Sequence, residues 1–232
     1  MSNWDTFKFS RDLSDFIALI RQYEIPVDTV ELGNLDSQLQ YLEGDFRICI
    51  ENIQFKIDKK ISGTMPSDVS KLEILFSHCC QVDPNLDEND NDPISEYNFQ
   101  LFIKGYGDKE YVNWWHLDKN IASKQPKFTH PYYHFQAGGN TIEGVDCGGL
   151  VLLNAPRIPH PPMDLFLGFH FIMNNFYSSK DYAFVKELLS DNKYQEIICR
   201  AQKRMWEKYF MAFSVDSHNH FTRENVFPLY IK

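Results

Sequence analysis

No stretch of this sequence approaches the roughly eighteen uninterrupted apolar residues that a membrane helix requires. The most apolar helical segment, Met163 to Phe176, is broken by Asp164, His170, Asn174 and Asn175, which predicts a buried helix. A phosphate-cradling GxxxxGKS/T loop, a GxGxxG turn and a GxSxG nucleophile elbow are all missing. An excess of positive charge is missing too. Lys and Arg number 23 against 32 Asp and Glu, giving a net charge of −9 and a pI near 5.3. That balance argues against nonspecific binding to nucleic acid or to an anionic membrane. Cysteines are few and odd in number (Cys49, Cys79, Cys80, Cys147, Cys199) and form no CxxC pair. They read as reduced thiols in a cytosolic compartment. Residues Met1 to Phe16 are polar and mixed in charge, without the apolar core of a secretory signal, so the cytoplasm is the expected location.

Aromatic residues are abundant. Phe, Tyr and Trp make up 15% of the 232 residues, and they must be packed in a core or exposed at an interface. A chain of this length buries enough surface to fold without disulfides or a structural metal.

Periodicity gives the element order. Leu13, Phe16, Ile17 and Ile20 form a helical stripe with Ser10 as its expected cap. Phe46, Ile48 and Ile50 alternate, and Ile53, Phe55 and Ile57 alternate in the opposite phase, which predicts a bulge or tight turn at Glu51–Asn52. Leu72, Ile74 and Phe76 give another strand, and residues 83–93 (DPNLDENDNDP) an exposed acidic loop. Tyr97 to Ile103 and Glu110 to Leu117 make a hairpin about Gly105–Asp108, followed by a strand over Tyr132–Gln136 and a buried strand over Leu150–Leu153. Helices follow over the part 161–213, and Val226–Ile231 could add an edge strand. Helix, then strands, then helices indicates one α+β domain over 1–232: an antiparallel meander with an N-terminal helix and C-terminal helices packed on one side.

The chemistry-bearing residues concentrate in Trp114-Trp115-His116-Leu117-Asp118 and His130-Pro131-Tyr132-Tyr133-His134. Imidazole and carboxylate are ligands for a divalent ion such as zinc. His116, Asp118 and His134 on adjacent strands could therefore form a metal or catalytic site, with His130 or His160 nearby. A strand over 130–136 would hold His130 and His134 roughly 13 Å apart, too far to share one ion. The bland reading is histidines hydrogen-bonded among packed rings, and His218-x-His220 reads as a solvated pair. Arg200, Arg204 and Lys208 share one helix face, expected to be solvated.

His130-Pro131, then Gly144-Val145-Asp146-Cys147, an apolar strand, a proline-rich turn and a buried helix resemble the central part of a ubiquitin-conjugating enzyme, the RWD-like fold. The resemblance implies a thioester enzyme, or an inactive relative, centred on Cys147. Tyr132 stands where that family's asparagine follows His-Pro, and the distance to Cys147 is longer than the family's. Glu143 and Asp146 would raise the pKa of a nearby thiol. The strings WWHLD, HPYYHFQ and PRIPHPPMD are similar to uncharacterised bacterial accessory proteins of defence-type gene clusters. That resemblance implies a non-catalytic interaction subunit, without a cofactor, whose protein partners come from the same operon.

Overall fold

The computed structural model describes residues 4–39, 46–83, 85–86, 92–120, 130–146, 148, 157–214 and 221–226. Its frame is a six-stranded antiparallel sheet in which every strand pairs with its neighbour in sequence: β1 (Phe46–Ile57), β2 (Lys71–Val82), β3 (Ile94–Tyr106), β4 (Glu110–Lys119), β5 (Tyr133–Ala137) and β6 (Ile158–Pro159). The change of phase in β1 is a bulge. The register with β2 shifts between Ile50 and Ile53, and Asn52 takes a left-handed φ of 55°. One extra residue there returns Ile53, Phe55 and Ile57 to the face already occupied by Phe46, Ile48 and Ile50, and all six are buried.

That inner face carries all the main helices. α1 (Thr6–Gln22) and α3 (Leu165–Phe176) meet it through rings: Phe16 lies 4.7 Å from Phe169 and 5.2 Å from Phe166, and Phe169 lies 5.2 Å from Phe55. The aromatic richness of the sequence is thus largely a core property. Gly168 lets α3 approach so closely that a Cβ there would stand 2.5 Å from Phe76 and 2.7 Å from Phe99. α2 (Val30–Leu39) packs on α1, α4 (Ala183–Ser190) leads into α5 (Asn192–Met211), and α6 (Arg223–Val226) is a single turn. α5 runs antiparallel to α1: Tyr23 bonds Asp191, Lys193 bonds Asp15 and Arg200 bonds Asp12.

Several local expectations are corrected. Asp5, not Ser10, caps α1 by accepting from Lys8 N at 3.0 Å, and the Ser10 hydroxyl donates to Asp36 of α2. Arg204 does not face solvent. It is buried against Asp164, a fully buried carboxylate that also caps α3 at Leu167 N, and its guanidinium lies 5.0 Å from the Phe9 ring. The acidic segment ends inward at Asp92, whose carboxylate pairs with Lys119 at 2.9 Å and accepts from the hydroxyls of Tyr132 and Tyr133. Leu150–Leu153 and residues 227–232 lie outside the described residues.

Each margin of the sheet is blunted in part among the described residues. Beside β1, Asp28 N donates to Gln54 O and Lys56 N donates to Pro26 O. The opposite margin, β6, is two residues long, and one is proline, which has no N–H. Among the described residues no helix is long and apolar enough to cross a membrane.

Candidate functional site

β4 and β5 place the histidine cluster on the outer face, away from the helices. Successive side chains alternate across a strand, so Leu117 and Phe135 point into the core while Trp114, His116, Asp118 and His134 point out. His116 sits opposite Gln136, and Asp118 opposite His134. Outward histidines on an open sheet should be solvated, yet both are buried. Gly139 explains part of this burial. Gly138 N donates to Trp114 O, and Gly139, at φ 116°, lies so close that a Cβ would stand 2.5 Å from the Trp114 ring and 3.5 Å from His116 Cε1. Trp114 in turn stacks on His116, with centroids 4.4 Å apart.

His116 Nε2 lies 3.1 Å from Asp118 Oδ2. A carboxylate can only accept, so Nε2 is the donor, and in the neutral ring Nδ1 is left as the acceptor. That Nδ1 is buried without a hydrogen-bond partner among the described residues. The Asp118 side chain is 45% exposed, so the dyad reaches solvent through its acid. Asp118 thus fixes one tautomer and directs the basic nitrogen of His116 away from itself.

His130 and His134 correct the sequence geometry. Their ring centroids are 4.5 Å apart, not roughly 13 Å. β5 begins only at Tyr133, and the chain bends at Tyr132, folding His130 back over the strand. His134 Nδ1 donates to Pro131 O at 3.3 Å. Burial, followed by the neighbouring His130, pushes the His134 pKa down to about 4, against the pull of Asp118. His130 is lowered by burial and by the Arg157 cation. Both rings are therefore neutral at pH 7. Arg157 Nε is buried without a partner among the described residues. His160 is not part of this group: its ring packs 5.7 Å from Phe135, on the inner side of β5.

The sequence-predicted trio of His116, Asp118 and His134 is thus brought to one patch, with His130 joining it. Among the described residues no group of three or more His, Cys, Asp or Glu side chains is placed to hold an ion. Chemically the group can take up a proton. Trp114, Gly139 and Arg157 complete it, and only the Gly138-Gly139 pair hints at the close backbone approach in the sequence. Cys147, His218 and His220 lie outside the described residues.

Comparison with known proteins adds no relative. The chain matches no family model, no curated protein and no solved structure.

Proposed function

We propose that this chain is a non-catalytic protein-binding subunit of a larger assembly, docking through the end of the molecule where α1 begins and α5 finishes. The supporting observation is a group of exposed apolar side chains: Phe7 at 79%, Phe210 at 56%, Phe213 at 54% and Met211 at 46%. The antiparallel pairing of α1 and α5 brings the start of one helix to the end of the other. Large exposed apolar residues that gather on one surface mark interaction sites, and aromatic side chains and Met are enriched in interface cores. On the resemblance in WWHLD, HPYYHFQ and PRIPHPPMD, the partner would be encoded in the same bacterial operon, in a system that guards against phage.

Co-expression with the products of the neighbouring genes, followed by affinity purification and light scattering, tests this reading. A stoichiometric complex is expected, weakened at least about tenfold by Phe210→Ser combined with Phe213→Ser, and retained in His116→Ala. A monodisperse monomer with every neighbouring product, or a complex indifferent to the two Phe substitutions, overturns it.

One observation favours a second reading, a hydrolase worked by His116, Asp118 and His134: the orphaned His116 Nδ1 beside its carboxylate. A metal-assisted form of that reaction needs a third donor beyond those the described residues bring together. Metal analysis with added zinc checks it; stoichiometric zinc lost in His116→Ala supports the reading, and its absence removes the metal.

A further inference from the structure

We propose that Cys49 and Cys79 are a modification site: they form a reversible cross-strand disulfide on the outer face of the sheet by exchange with a low-molecular-weight disulfide of the glutathione class. The two residues are direct register partners on β1 and β2, and their sulfurs stand 2.6 Å apart. Directly opposed residues in an antiparallel pair hold their Cα atoms about 4.5 or 5.5 Å apart. Either spacing lies inside the roughly 4.4–6.8 Å that a disulfide spans, so closure needs no movement of the strands. Cys49 is exposed and Cys79 half-buried, so a small disulfide can reach the first sulfur directly.

The other described thiols are placed differently. Cys80, one residue along β2, points into the core, where burial holds its pKa well above that of a free thiol. Cys199 is exposed on α5. The alternation of the strand thus selects Cys79 over Cys80.

Exchange runs in two steps. The Cys49 thiolate attacks one sulfur of oxidised glutathione, the S–S bond breaks, and one glutathione leaves as its thiolate. Cys79 then gives its proton to solvent and attacks the Cys49 sulfur, releasing the second glutathione. The protein loses two electrons and two protons, and the small disulfide gains them as two thiols. Burial, followed by the hydrogen bond from Cys49 and its charge, pushes the Cys79 thiol up to about 12, while Arg47 works in the opposite direction. Capping of Cys49 removes its share of that rise and leaves burial and Arg47. The second step accordingly quickens as pH rises. Closure joins the strands beside the bulge, where Asn52 N already donates to Ser77 Oγ at 2.9 Å.

The test incubates the whole chain with excess oxidised glutathione and reads intact mass and nonreducing peptide maps. The expected result is a linked peptide pair carrying Cys49 and Cys79, about 2 Da lighter than the two reduced peptides together, and full reversal by dithiothreitol. Cys79→Ser should instead accumulate one glutathione on Cys49. Cys49 and Cys79 recovered as free thiols, a stable glutathione adduct on Cys49 of the wild-type chain, or linkage of either through Cys147 or Cys199 would overturn the proposal. Both Cys→Ser variants lie on the outer face and are checked for folding by circular dichroism. The apolar end of α5 is not involved, so the outcome is independent of the docking reading.

Discussion

Replacing Arg204 with methionine should be among the most destabilising single changes in this chain. The Asp164 carboxylate is fully buried, takes the Arg204 guanidinium through Nε and Nη2, and accepts one amide from Leu167. Methionine fills much of the volume against Phe9 and Phe166 but leaves a buried anion with a single donor. Stranding one member of a buried pair costs about 3–5 kcal/mol, against a total stability on the order of 5–15 kcal/mol. At about 2–4 °C per kcal/mol for a chain of this size, the melting temperature should fall by about 10 °C. Asp164→Asn keeps the acceptor for Leu167 N and leaves the cation its ring neighbours, so it should cost less. The double variant removes both charges and should be more stable than the sum of the singles by about 2 kcal/mol. Equilibrium urea unfolding followed by tryptophan fluorescence measures all three. An Arg204→Met protein within about 1 kcal/mol of wild type, or strictly additive losses, would refute the claim that the pair is one buried electrostatic unit.

Gly168→Ala should lose about 1–3 kcal/mol despite alanine's better helix propensity, because its Cβ would meet the rings of Phe76 and Phe99; thermal unfolding reads this. Gly139→Ala combines a left-handed φ with the close approach to Trp114 and should cost about 1–3 kcal/mol, with a change in tryptophan emission. Burial lowers the pKa of both His78 and His134 to about 4, so below about pH 6.5 the unfolded chain binds protons that the native chain refuses. Stability should therefore be intact near pH 7.5 and fall as pH drops from about 6.5 to 4; His78→Phe should make the slope of urea midpoint against pH shallower by about one proton. Oxidation of Cys49 and Cys79 closes a loop of about 30 residues and should raise the melting temperature by about 10 °C, reversibly on reduction.

The sheet was readable because its apolar residues alternate along each strand, and the one break in β1, at Glu51–Asn52, is a change of parity that marks the bulge. α2 escaped notice: Leu32, Leu35 and Leu39 are buried, but Gly33 and Asn34 dilute the pattern. Charged residues misled most. Asp92 and Arg204 look solvated in sequence, and only their partners Lys119 and Asp164, 27 and 40 residues away, explain their burial. At the site, strand periodicity correctly put His116 and Asp118 on one face. The bend at Pro131–Tyr132 lies outside any periodic signal, and it is what brings His130 to His134. The covering role of Gly139 depends on a backbone approach that residue types alone do not encode.

The treatment of the sheet margins limits where a peptide can join this sheet. A peptide that adds itself as a seventh strand needs a row of unpaired amides and carbonyls. At Gln54–Lys56 the incoming chain meets a backbone already engaged by Pro26 and Asp28, and at Ile158–Pro159 it finds one N–H where a ladder needs several. At these two places recognition would fall to side chains, and single substitutions there, not peptide-backbone mimics, should be the effective way to block it.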